Sequence, residues 1–290
     1  MSNQAIVTSL ESRIRHGYAS LSESERKLAD VVLLRARELV GYSATELAQL
    51  AGTSKSSAAR FFRSLGYDGY DGFRQALRHA QEQPSPLARM DSQRTKDSVA
   101  HQFQLHLQHD ADRLLDWMQA LPQAQLEAAL ALLRKARKVW VVGYRHSHLT
   151  AFYAQSLLAQ VRPQVLMLND AAGREADLLA CCSDKDVVLA VDFRRRSTRL
   201  PAVLAAARAT GAQTLVLTDA PVSALAMQAQ VVLRCGASSP QGLFDSYVCG
   251  VSLVNFLAAT LAQQLRSATQ ERLAHIERLH VALNDLEPQL

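Results

Sequence analysis

Five short apolar runs between residues 138 and 235 constrain the fold more than any other feature: "KVWVVG" (138–143), "QVLMLND" (164–170), "DVVLAVD" (186–192), "QTLVLTD" (213–219) and "QVVLRC" (230–235). Each is shorter than an ordinary helix and apolar at successive positions, so each reads as a strand covered on both faces. The segments between them suit helices. Strand alternating with helix predicts a doubly wound parallel sheet, an α/β domain. Ligands of such sheets bind beyond the carboxyl ends of the strands, which points to the segments after Val142, Leu168, Val191 and Leu217.

Ahead of these runs the pattern is helical. Residues 1–80 carry apolar residues at helical spacing and no alternating strand, which predicts an all-α domain. Residues 81–97, with Pro84 and Pro86 among polar and charged residues, have the composition of a linker. Residues 98–290 then form the second domain. Two amphipathic helices are expected at its start, one through Leu105, Leu114, Leu115 and Trp117 and one from Gln123 to Ala136 after the break at Pro122.

The stretch "SATELAQLAGTSKSSAARFFRSLGY" (43–67) reads as a helix-turn-helix. Ser43 or Thr45 caps a short helix through Leu50, Gly52 supplies the turn, and Ser54 caps a helix ending near Gly66. Leu47, Ala48 and Ala51 are expected to face the core with Ala58, Phe61, Phe62 and Leu65. That leaves Ser54, Lys55, Ser56, Ser57, Arg60 and Arg63 as the DNA-facing set. Serines there suit base or phosphate hydrogen bonds, and Lys55, Arg60 and Arg63 suit phosphates. Upstream, Ser22 with Glu25 forms a capping box that opens a scaffold helix over 21–40.

Composition narrows the function classes. The 290 residues are 48% hydrophobic, enough to fill substantial cores, and the net charge of +5 permits a nucleic-acid partner. No apolar stretch approaches the roughly 18 residues of a membrane span and no leader pattern opens the chain, so a cytoplasmic protein with no membrane partner is expected. Cys181, Cys182, Cys235 and Cys249 contain no CxxC pair and are expected to be free, buried thiols. His101, His106, His109, His146 and His148 form no HExxH pattern, and neither a dinucleotide nor a P-loop glycine pattern is present. No metal, nucleotide or other cofactor is expected.

The order helical segment, "TELAQLAGTSKSSAARFFRSLGYDGYDGF", linker and α/β domain resembles the RpiR/MurR-type bacterial transcription regulators. The resemblance implies a helix-turn-helix domain joined to a sugar-isomerase-like (SIS) domain that senses a small phosphorylated metabolite. It also implies two ligand loops. The first resembles Gly-x-Gly-x-Ser on Gly143–Ser147, with Arg145 in place of the second glycine. The second, Ser-x-Ser-Gly-x-Thr in the family, falls on Asp192–Ser197, "DFRRRS", where only the last hydroxyl survives, as Ser197. Loss of glycine there predicts that backbone no longer approaches a phosphate closely, and that guanidinium groups take its place. The expected site is therefore Arg145, Ser147, Asp192, Arg194, Arg196 and Ser197, holding a small anionic effector, a sugar phosphate or a carboxylate-bearing metabolite. Asp192 would orient an arginine or bind a ligand amine or hydroxyl.

The competing reading of the three arginines is that they pair with acids such as Asp170 or Asp245 across a subunit boundary. A sugar-phosphate isomerase with a helical appendage is the rival function; the stretch 238–257 offers Asp245 but no evident general base, so a non-enzymatic sensor with no catalytic residue is preferred. A double-stranded DNA operator read by two recognition helices requires two subunits, hence a homodimer or homotetramer.

Overall fold

The computed structural model describes residues 13–14, 17–39, 42–74, 90, 97–118, 121–170, 172–220, 224–236 and 243–285. Packing separates the chain into two compact units, one drawn chiefly from residues 1–94 and one beginning at Thr95. Of the expected linker 81–97, all but Met90 and Asp97 lies outside the described residues.

In the first unit α1 (Glu23–Leu39), α2 (Ala44–Leu50) and α3 (Lys55–Ser64) surround an apolar centre. At the head of α1 the Glu25 carboxylate accepts from the Ser22 amide at 2.9 Å and hydroxyl at 2.6 Å. Ser43, not Thr45, caps α2, in a full capping box with Glu46. Both α2 and α3 end in the same way. The Gly52 amide returns to Gln49 and the Thr53 amide to Ala48; the Gly66 amide returns to Arg63 and the Tyr67 amide to Phe62. These are Schellman closures, and they need a residue at positive φ, met by Gly52 (+62°) and Gly66 (+81°). Leu47, Ala48, Ala58, Phe61, Phe62 and Leu65 are buried as expected, with the Phe73 ring tilted against Phe62 at 4.7 Å between ring centroids.

The second unit begins with α4 (Val99–Met118) and α5 (Gln123–Lys135) and continues β1 (Val139–Gly143), α6 (Ser147–Val161), β2 (Val165–Met167), α7 (Glu175–Leu179), β3 (Val187–Asp192), α8 (Leu200–Ala209), β4 (Gln213–Thr218), α9 (Ala224–Gln228), β5 (Val231–Arg234), α10 (Val248–Gln264) and α11 (Arg266–Leu283). The five strands are those read from the apolar runs. They form one parallel sheet in the order β2-β1-β3-β4-β5. Because successive side chains of a strand point to opposite faces, the runs of β1, β3 and β4 feed two cores. Val139, Val141, Val187, Leu189, Val191, Leu215 and Leu217 pack with α5, α6 and α10. Trp140, Val142, Val188, Ala190 and Val216 pack with α8 on the other side. The connection order reverses between β1 and β3, and their ends lie side by side: Gly143 pairs with Val191. No single described helix is long and apolar enough to cross a membrane. The apolar face of α10 is spent on the sheet, with Leu253, Val254, Leu257 and Leu261 buried.

Candidate functional site

Helix α3 presents Lys55, Ser56, Arg60 and Arg63 to solvent, with Ser54 exposed at its head. Its opposite side is held down by Ala58, Phe61 and Phe62. Ser57 departs from the expectation: it is only 5% exposed. Its amide donates to the Ser54 hydroxyl at 3.1 Å, and its own hydroxyl lies 3.0 Å from the Ser54 hydroxyl and accepts from Arg60 at 3.4 Å. It is one helical turn before Phe61 and so lies on the buried stripe. Ser57 belongs to the cap, and the cationic surface is Lys55, Arg60 and Arg63.

In the second unit the strand ends converge around residues 143–147 and 192–199. Gly143 closes β1 where a Cβ would meet the Ser147 carbonyl oxygen at 2.6 Å and the Ala151 Cβ at 2.9 Å, so glycine allows α6 to start against the strand. Ser147, buried at the first turn of α6, accepts the Phe193 amide at 3.0 Å and thereby ties the two loops together. Phe193 turns inward onto Gly250 and Tyr247, leaving Arg194 at the wall of a cleft with Arg113, Asp219, Asp245 and Tyr247. Arg145 (φ +56°) and Arg195 (φ +59°) both sit in the left-handed region. These are the positions where the family loops carry glycine. A left-handed arginine costs about 1–2 kcal/mol, which the bond between Ser147 and the Phe193 amide helps to offset.

The arginines are not bare. Arg196 donates to Asp219 and lies 3.2 Å from Asp192; the Arg194 amide donates to Asp219 at 3.1 Å and its guanidinium lies 3.5 Å from Asp245. The pairing foreseen with Asp245 occurs within one chain, and Asp170 instead pairs with Arg174. Ser197 caps locally, accepting the Arg199 amide at 3.2 Å. Arg199 reaches away, to Glu175 at 3.1 Å and over the Tyr144 ring. Arg145 and Arg194 both act on the Tyr247 hydroxyl, which burial nonetheless pushes up to about 12. Asp219, Tyr247 and Arg113 were not singled out from sequence. One signal for Asp219 was present: its run ends in Asp as β3's does, and the register sets Thr218 opposite Asp192.

Burial pushes the Asp192 carboxyl up to about 6, against the pull of Arg196 and with a further push from Asp219. Its ordinary value is 3.8. Between these values the folded state holds a proton that the unfolded chain has released, so this group's stabilising contribution is complete below about pH 4 and is lost as pH rises through 6. Asp192→Asn is expected to match the parent near pH 4 and to be more stable by about 2–3 kcal/mol at pH 7. Urea unfolding of the two proteins at both values checks this; equal stabilities at pH 7 would contradict it.

Among the described residues no group of three His, Cys, Asp or Glu is arranged to hold a metal ion. Cys235 and Cys249 are buried free thiols, whereas Cys181 is exposed and Cys182 intermediate, because these two follow the end of a short helix.

Residues 8–84 match the helix-turn-helix domain of the rpiR family, and residues 132–260 match the SIS domain. A helix-turn-helix head joined to a SIS body defines a class of transcription regulators. Among curated proteins, the HTH-type transcriptional regulator YfhH of Escherichia coli is 26% identical over 92% of this chain and 96% of its own. The HTH-type transcriptional regulator HexR of the same organism is 25% identical over 73% of this chain and 71% of its own. Among solved structures, the Vibrio vulnificus NanR protein complexed with ManNAc-6P covers 95% of this chain and 99% of its own, with a TM-score of 0.58 and 20% identity. The sugar isomerase domain of an RpiR transcription factor from Sphaerobacter thermophilus covers 59% of this chain and 96% of its own, with a TM-score of 0.56 and 26% identity. The chain thus carries an rpiR-family helix-turn-helix domain and a SIS domain, the two domains of a SIS-domain transcription regulator.

Proposed function

We propose that this regulator grips operator DNA with Lys55, Arg60 and Arg63 of α3, with Ser54 and Ser56 at the helix head, and that a small anionic metabolite at the ends of β1, β3 and β4 changes that grip. The observation that carries the sensing half is the pair of left-handed loop residues, Arg145 and Arg195, at adjacent strand ends tied by Ser147. Loops of this shape direct amides and guanidiniums toward one anion at the topological switch point. NanR, a neighbour in fold, was solved with a sugar phosphate, which favours that ligand class over a simple carboxylate. Asp192 and Asp219 set the orientation of Arg196. A homodimer or homotetramer, which an operator with two half-sites needs, is supported by exposed apolar side chains on the SIS unit, among them Phe103 at 60% and Phe152 at 55%.

Fluorescence anisotropy of the full chain on duplexes tiled across the DNA upstream of its own gene, with and without sugar phosphates and small organic acids, tests the reading. One duplex is expected to bind at about 100 nM or tighter, and its affinity to shift by about fivefold or more with the effector. Equal, weak binding of every duplex, or no response to any anion, would overturn it.

A further inference from the structure

Helices α6 and α10 lie against each other over the sheet, their inner sides buried at Ala151, Ala154 and Leu158 and at Leu253, Val254, Leu257 and Leu261. Their outer sides are apolar as well. Leu149 is 68% exposed, Phe152 55%, Phe256 46% and Val251 40%. Beside these side chains the Asn255 amide donates to the Tyr153 hydroxyl at 3.4 Å, so the polar groups between the two helices are turned toward each other. Neither helix contains a Lys, Arg, Asp or Glu, in a chain in which these four make up 20% of residues. A surface that stays in water normally carries such charges, and a helix that is apolar all round is one that is packed all round.

We propose that the outer face of α6 and α10 is where a second copy of the chain docks, the helix pair of one protomer lying on the same pair of its partner. This rests on the homo-oligomer reading above and names the surface that reading requires. A two-fold interface brings one patch onto itself. A charged patch repels its own copy, whereas this one is buried against itself without stranding an ion. A partner of opposite charge finds nothing here to pair with, and a lipid surface finds no Lys or Arg for its headgroups. At 1.5 Å per residue and about 10 Å of width each, the two helices present about 500 Å². A pair of copies then buries about 1,000 Å², the size a specific interface must reach. Both helices also open at the strand ends, where Ser147 accepts the Phe193 amide and Gly250 lies under the Phe193 ring. The sensing loops and the inter-subunit face are thus joined by the same two helices.

Sedimentation velocity on the full-length protein at micromolar concentration tests this with Phe152→Asp and Phe256→Asp, one on each helix. Each is expected to halve the particle mass, the dissociation constant rising about 100-fold or more because symmetry buries two unpaired carboxylates in the interface. Phe103→Asp, on the exposed part of α4, is expected to keep the parent mass. All three side chains are exposed within one chain, so far-UV circular dichroism is expected to match the parent's. Parent mass in both the Phe152 and Phe256 variants, or dissociation by Phe103→Asp alone, overturns the inference and leaves the homo-oligomer reading to another face. A monomeric parent overturns both, and its flotation with phosphatidylcholine vesicles would mark the face as a lipid contact instead.

Discussion

Replacing Lys55, Arg60 and Arg63 together by alanine lowers the affinity of the protein for duplex DNA by about 10²-fold at physiological salt, and reduces the slope of log K against log salt by about 3. The three cations are exposed on one helix whose other side is anchored by Ala58, Phe61 and Phe62. Each that neutralises a phosphate releases condensed counterion, so each contributes a similar increment to affinity and to slope. Alanine favours a helix at least as well as lysine or arginine. The bonds given up are exposed or weak, Arg63 to the Ala59 carbonyl at 3.3 Å and Arg60 to Ser57 at 3.4 Å. Little change in the unfolding midpoint is therefore expected. Anisotropy with a random-sequence duplex between 50 and 200 mM salt, about the range over which such contacts are lost, measures both quantities. An unchanged slope would remove α3 from the DNA interface.

Gly143→Ala destabilises the SIS unit by about 3 kcal/mol or more, seen as a fall in its unfolding midpoint of about 6–12 °C. The added methyl would sit 2.6 Å from the Ser147 carbonyl oxygen and 2.9 Å from the Ala151 Cβ. The first of these is backbone within the opening turn of α6, and Gly143 itself is held in the sheet between the registers of β1 and β3. Neither side can yield without breaking the strand end or shifting the helix. A shift of α6 also moves Ser147 off the Phe193 amide, so the variant is expected to lose ligand response together with stability. A midpoint within about 1 °C of the parent would show that the helix accommodates the methyl freely.

The strands were legible because the central apolar runs, those of β1, β3 and β4, serve two cores at once. Val139 and Val141 face one side and Trp140 and Val142 the other, so no position in the run could be polar. The caps were legible because a short polar side chain needs only its own neighbours. Ser54, Gly52 and Gly66 act within a few residues of themselves. Ser57 was legible and misassigned: its place four residues before Phe61 marks the buried stripe, but the serine chemistry suggested a surface. The left-handed backbone at Arg145 and Arg195 was not legible, because an arginine does not signal a positive φ as a glycine does.

The amino-acid sequence by itself determined the helix-turn-helix, the parallel α/β sheet and the convergence of chemistry at the strand ends, since periodicity, capping and alternation are local rules written over a few residues. Only the tertiary structure decided which charges meet. Arg196 finds Asp219 across 23 residues and Arg113 finds the Ser246 carbonyl across 133, and no local pattern encodes a partner that distant. Folding brings these groups into a space with little water, where an arginine without a carboxylate is costly. That pairing turned a row of positive charge in the sequence into a balanced site in the fold.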